Sequence, residues 1–392
     1  MPSAISKTTA LFLLLAAVTP IFAIVPKNLV VFGDSYSDVG NLQRQTNGPL
    51  WVEDVAYAWN VSVYNFAFGG ATCDSDLYAL DPSDKSPSLR DQIEIYYDQK
   101  LDLKPEETVY AIWIGINDVA LATADNGAKP VPPNEIASCV RSQIATLRHY
   151  FKAVNILLLE VPPLEHMPFF YEQDQRGDAS RKVNSLFVVQ NADWSSELNI
   201  RLKIIYTHQL LDKVVAAPGS YGFNNVTHGY WEVCTGTCTD NENDYLWWDA
   251  GHLTGAGHKL IANEIIRASP FDVEAEEVDD VDYVKEALNE PATKLKSDVY
   301  QAKSATGTLD NAPEKENEST ASSGGLQRPM SSSNSTWSRF YAIWILLLLI
   351  MTFFCCFSVG RARLTTIMAS FTTKYNSRGR FVPLRDLESS RE

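Results

Sequence analysis

Ser35, Asp249 and His252 have the residue types and positions to do covalent chemistry. Ser35 stands in Gly33-Asp34-Ser35-Tyr36-Ser37-Asp38, just beyond the apolar run 28–32, whose β-branched content and closing glycine read as a short buried strand. Ser37 and Asp38 are good helix N-caps, so the pattern sets Ser35 between a strand end and a helix mouth. Outward N–H groups and the helix dipole favour developing negative charge there. A serine hydroxyl is a weak nucleophile at neutral pH and needs a base. Histidine suits that task, and a carboxylate should hold its tautomer and stabilise its charged form. Asp249 and His252, in Trp248-Asp249-Ala250-Gly251-His252-Leu253-Thr254, are three apart and can meet within one turn of chain. A tetrahedral intermediate also needs donors aimed at its oxyanion. The candidates are the Ser35 N–H, an N–H of the Gly69-Gly70 pair in Asn65-Phe66-Ala67-Phe68-Gly69-Gly70-Ala71, and the side-chain amide of Asn117 in Gly115-Ile116-Asn117-Asp118. Together these are the groups that ester hydrolysis through an acyl intermediate requires.

Residues so far apart in sequence need a frame that gathers strand ends. The apolar runs 29–32, 61–66, 109–114, 156–160 and 203–206 read as buried strands, with helical stretches such as 135–151 and 181–191 between several of them. Continuous apolar strands alternating with helices imply a mostly parallel sheet covered on both faces, a three-layer α/β/α sandwich. Ligands in such sheets bind beyond the carboxyl ends of the strands. Ser35, the Gly69-Gly70 pair and Asn117 each follow such a run.

The four segments stand in the order and spacing of the sequence blocks of the GDSL esterases, also called SGNH hydrolases, and the resemblance covers most of residues 28–268. Phe32-Gly33-Asp34-Ser35-Tyr36 and Phe68-Gly69-Gly70-Ala71-Thr72 are similar to fungal acetyl esterases of the group. Pro218-Gly219-Ser220-Tyr221-Gly222-Phe223 looks like plant-type members, and Tyr36 departs from the family's usual leucine. The resemblance implies a flavodoxin-like SGNH hydrolase fold, with Ser35 as nucleophile, His252 as base and Asp249 as its orienting acid. It implies Ser35, Gly69 or Gly70, and Asn117 as oxyanion donors, with neither metal nor cofactor. The implied activity is carboxylic ester hydrolysis, acetyl esters such as acetylated saccharides leading and longer lipid esters as the alternative. A catalytically inactive membrane-anchored binding protein is the alternative outside enzymes.

Other polar residues read as structural. Asp34 and Asn41 suit turn and cap positions, Asp118 is not the triad acid, and His258 suits a local hydrogen bond at the start of the last helix of the domain. His149, His166, His208 and His228 show no partner pattern, so no metal site is indicated, and Trp247-Trp248 reads as packing.

The ends of the 392-residue chain carry different signals. Residues 1–23, with Lys7, the apolar run 10–18, Pro20 and Ala23, have the three-part form of a secretory signal peptide. Residues 340–359 are free of charge, and twenty helical residues span about 30 Å, a bilayer core. Trp337, Phe340, Tyr341 and Trp344 stand at the leading edge of this run, and Arg361 and Arg363 follow it. The tail 360–392 has seven Lys/Arg and three Asp/Glu, which predicts a type I single-pass protein with a basic cytosolic tail and its larger part lumenal or extracellular. The whole chain carries −15 and residues 1–359 carry −19, which argues against nucleic acid or anionic membrane surfaces as partners. A hydrolase domain is expected over 24–270. A stalk is expected over 271–338, acidic at Glu274, Glu276, Glu277, Asp279, Asp280 and Asp282, able to run as a helix to Leu288, then Ser/Thr-rich and disordered. Of six cysteines, Cys73, Cys139, Cys234 and Cys238 precede the span and allow three pairings, Cys73 with Cys139 and Cys234 with Cys238 being favoured. Cys355 and Cys356 suit either palmitoylation or lipid-facing filler. The sequons at Asn60, Asn225, Asn317 and Asn334 all lie before the span. The expected partners are an ester substrate and the membrane, the protein being monomeric.

Overall fold

The computed structural model describes residues 24–78, 85–124, 131–234 and 236–310. The expected signal peptide 1–23, span 340–359 and tail 360–392 lie outside the described residues, with Cys355, Cys356, Asn317 and Asn334. Among the described residues no helix is long and apolar enough to cross a membrane. All of them belong to one compact unit of the chain.

Five parallel strands carry the site: β1 (Asn28–Gly33), β2 (Ser62–Asn65), β3 (Thr108–Trp113), β4 (Asn155–Leu159) and β5 (Arg201–Ile205). Their order is β2-β1-β3-β4-β5, the flavodoxin-like arrangement, whose direction of winding reverses between β1 and β3. The central strands β3 and β4 are buried at every residue, whereas β2 and β5 at the edges mix buried and accessible positions. This is why the central strands read as unbroken apolar runs.

The chain crosses from β1 to β2 and then back past β1 to β3, and helices cover both faces of the sheet. α1 (Trp51–Trp59) lies against α8 (Gly255–Ala268), and α9 (Val281–Asn289) joins them. On the other side α2 (Leu89–Gln99), α4 (Pro133–Phe151) and α5 (Asp174–Glu197) pack in succession, with the short α3 (Ile116–Ala122) against α5. α6 (Thr207–Ala216) follows β5. A two-stranded parallel sheet, β6 (Asn225–Gly229) with β7 (Tyr245–Trp247), encloses α7 (Tyr230–Val233) and leads into the Asp249 loop.

Two expectations need correction. No helix begins at Ser37 or Asp38. The chain makes a single turn, with the Ser37 and Asp38 N–H groups on the Asp34 carbonyl (3.0 and 3.1 Å), and the next helix starts at Trp51. The segment after 270 is also no loose stalk as far as residue 310. Phe271, Val273, Val278, Val281, Val284, Leu288, Leu295, Tyr300 and Leu309 are all buried. The acidic run does end in a helix, α9, which turns Val281, Val284 and Leu288 inward and its charges outward. The expected stalk's remainder, 311–338, lies outside the described residues.

Candidate active site

Three strand ends and one long-range loop meet at the reversal point of the sheet. β1 delivers Ser35 through Gly33, where there is no space for a side chain: a Cβ would collide with the Trp113 carbonyl of β3. Gln92 of α2 grips Gly33 from both sides, its Oε1 accepting the Gly33 N–H (2.9 Å) and its Nε2 donating to the Gly33 carbonyl (2.8 Å). Two residues beyond β3 stands Gly115, whose φ of +120° and close approach to Val161 suit glycine, and α3 then presents Asn117 in its first turn.

Asp249 and His252 share one loop. The Asp249 carboxylate accepts the N–H of Gly251 (2.7 Å), the N–H of His252 (2.8 Å) and His252 Nδ1 (2.7 Å), while the Trp248 N–H donates to the His252 carbonyl (2.7 Å). Trp247 and Leu253 bridge across the loop's base. Gly229, at the end of β6, lies so close that a Cβ there would collide with the Asp249 carbonyl. His252 Nε2 stands 2.9 Å from Ser35 Oγ, so all three side chains form one chain of hydrogen bonds. Ser35 and His252 are each only 2 % exposed. Burial works to raise the Asp249 pKa, but the His252 charge and the hydrogen bonds outweigh it, holding the carboxyl below its usual range. An ionised Asp249 fixes the proton of His252 on Nδ1 and leaves Nε2 to face the serine.

The oxyanion candidates are less alike than their sequence suggests. Asn117 donates one amide hydrogen to the Ala71 carbonyl (2.9 Å), which fixes the amide plane and leaves its second hydrogen for a ligand. The Gly69 N–H is committed to Asp38 Oδ2 (2.8 Å), while Gly70 has a φ of +78° that strains any side chain. Asp38 also accepts the N–H groups of Gly40 (2.8 Å) and Asn41 (2.7 Å), so it is the organiser of this loop. Asp118 plays the same part opposite: its carboxylate accepts the Cys73 N–H (3.0 Å) and the Tyr78 hydroxyl (2.9 Å). Burial nevertheless pushes the Asp118 carboxyl up to about 6.

Tyr36, the departure from the family pattern, packs its fully buried ring edge-on against Trp113 (5.1 Å) and donates its hydroxyl to the Gly251 carbonyl (2.6 Å). It thereby ties the turn that carries Ser35 to the loop that carries His252, a role that the unusual fourth letter could have signalled. Asp34 is a turn residue as expected, its Oδ1 accepting the Tyr36 N–H (3.1 Å), but burial pushes its carboxyl up to about 7. His258 does not make the expected local hydrogen bond through Nδ1. It is buried against Tyr36, its Nδ1 has no hydrogen-bond partner among the described residues, and burial lowers it to about 3.

The four cysteines before the expected span are paired as favoured, Cys73 with Cys139 and Cys234 with Cys238. Among the described residues one group of metal-ligating type lies together, Cys234, Cys238 and Asp240, and its two sulfurs are bonded to one another. Trp247 is core, as expected of packing, but Trp248 stacks on Tyr230 (5.7 Å) and meets the half-exposed Trp231 (5.5 Å). Asn60 is an exposed left-handed cap of α1, and Asn225 opens β6, where its Oδ1 accepts the Thr227 N–H.

A doubly wound α/β domain with a serine, a histidine and an aspartate in hydrogen-bonded sequence at its reversal point has the build of a serine hydrolase. A model of the GDSL-like lipase/acylhydrolase family matches residues 29–265, more than half of the chain, and the chain belongs to that family. It is 25% identical over 278 residues to the thermolabile hemolysin of Vibrio parahaemolyticus, covering 62% of this chain and 63% of that protein. It is 32% identical over 124 residues to an acetylesterase of Hypocrea jecorina, covering 24% of this chain and 36% of that protein. The chain thus spans less than two thirds of the length of these relatives. An acetylxylan esterase from Geobacillus stearothermophilus superposes at a TM-score of 0.38 with 18% identity, over 63% of this chain and 95% of that one.

Proposed function

We propose that this protein hydrolyses carboxylic esters, Ser35 being the nucleophile, His252 the base and Asp249 its orienting acid. The observation that carries the reading is the unbroken series from Ser35 Oγ through His252 to the Asp249 carboxylate, at 2.9 and 2.7 Å. In the first half-reaction Oγ attacks the ester carbonyl carbon as its proton passes to His252 Nε2. The tetrahedral oxyanion is met by the Ser35 N–H, the Gly70 N–H and the second amide hydrogen of Asn117. Gly70 is preferred to Gly69 because the Gly69 N–H already serves Asp38. His252 then protonates the departing alcohol, leaving an acyl group on Ser35. A water, deprotonated by His252, attacks that acyl group and releases the acid and free Ser35.

Short acyl esters, acetyl groups on saccharides foremost, are the leading substrates, supported by the similarity to an acetylesterase. Longer lipid esters are the second reading, favoured by the exposed Trp231 and Val233 on α7, beside the loop that carries the base. The sequence pattern further supports a monomeric type I membrane protein, led by the signal peptide 1–23 and anchored at 340–359, with the site and the sequons on the lumenal or extracellular side. Turnover of p-nitrophenyl acetate, butyrate and palmitate by the full chain tests the substrate. Acetate should be preferred, a palmitate preference would move the assignment to lipids, and no turnover from folded protein would overturn the enzyme reading.

A further inference from the structure

Residues 293–310 follow α9, lie outside the stretch that the family model matches, and are polar in composition. Their placement gives them a use. β2 is an edge strand, and its outward N–H groups need partners. The N–H of Val63 donates to the Lys294 carbonyl (3.0 Å) and that of Asn65 to Ser297 Oγ (2.8 Å). Three residues beyond Asp38, which closes the turn that carries Ser35, and just past the end of β2, the same strap takes hold again. Tyr300 stacks its ring on Phe66 (4.1 Å between centroids, 18° between planes), and its N–H donates to Asn41 Oδ1 (2.7 Å). Asn41 in turn donates through Nδ2 to the carbonyls of Asn65 and Ala67, both at 2.9 Å.

Asn65 closes the arrangement by donating its own Nδ2 to the Ser37 carbonyl (2.7 Å). Residues 65–67 are therefore clamped between Asn41 on one side and the strap on the other, with only Phe68 between them and Gly69-Gly70. The strap's far end grips α2. The Thr306 N–H donates to Glu94 (2.6 Å), and Arg90 pairs with Asp310 (2.6 Å). α2 is the helix whose Gln92 holds Gly33, two residues before Ser35.

Resting on the ester-hydrolase reading, we infer that the strap 293–310 is a positioning element of the active site, with Tyr300 and Ser297 fixing the loop that aims the oxyanion donor Gly70. It touches neither substrate nor reacting atoms. Its effect passes through Phe66 and Asn41, and a displacement of the donors by about 1 Å is enough to slow turnover by up to about a hundredfold.

The test uses the full chain, wild type and with Tyr300→Ala, Ser297→Ala and Tyr300→Phe. For each, kcat is counted per active site titrated with a fluorophosphonate, so unfolded molecules do not enter. The affinity of a trifluoromethyl ketone, whose hemiketal with Ser35 places an oxyanion at the donors, is measured alongside. Tyr300→Ala should lower kcat roughly tenfold to a hundredfold, weaken the ketone by a matching factor and leave KM within about twofold, with Ser297→Ala milder. Tyr300→Phe, which keeps ring and N–H, should restore wild-type values. Unchanged kcat per site and unchanged ketone affinity, even with a lowered Tm, would make the strap a stability device only and overturn the inference. An active wild type with an equally active Tyr300→Ala refutes the strap alone. A wild type that neither hydrolyses esters nor reacts with the fluorophosphonate refutes the underlying reading as well.

Discussion

The proposed acid–base side and the proposed oxyanion side of this site are held in opposite ways. Asp249 and His252 sit in one short loop whose hydrogen bonds close on themselves, and the carboxylate caps the very N–H groups that shape it. The oxyanion side has no such self-sufficiency. Gly70 and Asn117 come from separate strand ends, and the segments around them are held by Asp38, Asp118, Asn41 and a strap that lies more than two hundred residues from Gly70 in sequence. The lesson is that one half of the site is encoded locally and the other by long-range contacts, and a single tyrosine, Tyr36, ties the two together.

The comparison can be broken at either half. Asp249→Asn keeps the loop's shape but unsettles the His252 tautomer, and kcat should fall roughly 10⁴-fold. Asn117→Ala removes one donor and should cost roughly 10²–10³-fold in kcat. Steady-state kinetics of the two variants would contradict the assignment if Asn117→Ala were harmless or Asp249→Asn the milder. Tyr36→Phe deletes only the hydroxyl that reaches Gly251. A buried neutral hydrogen bond contributes about 1 kcal/mol, so kcat should fall about three- to tenfold with the fold intact. A wild-type rate in that variant would show that the two halves need no tie.

The smallest effect concerns stability rather than rate. Burial lifts the Asp34 carboxyl from 3.8 to about 7, so between those values the folded protein binds a proton that the unfolded chain has lost. Asp34 therefore contributes stability that is full below about pH 4 and is lost as pH rises through about 7. Asp34→Asn should flatten this fall, seen as a smaller difference in urea midpoint between pH 5 and pH 8. An unaltered difference would show that Asp34 is ionised in the folded protein.

Legibility in sequence follows the same division. β1, β3 and β4 could be read because strands buried on both faces are apolar throughout, and the Asp249–His252 pair because its geometry is local. α1 was not legible: it buries Glu53 and Asp54 among its apolar residues, Glu53 being held by Arg44 and the Leu50 N–H. β6 and β7 are too short and too mixed in exposure to show a period. The strap reads as stalk in the sequence because its order comes from backbone groups meeting distant side chains. Its apolar anchors Leu295, Tyr300 and Leu309 are too sparse to form a pattern. Choosing between Gly69 and Gly70 likewise required seeing Asp38 occupy one of them.

The central claim is that Ser35 is a nucleophile activated by His252. Reaction of the full chain with a fluorophosphonate, followed by peptide mapping, tests it most directly. The account predicts one adduct per molecule, on the peptide that contains Ser35, and none in Ser35→Ala. An adduct on another residue, or no adduct on folded protein, would contradict it.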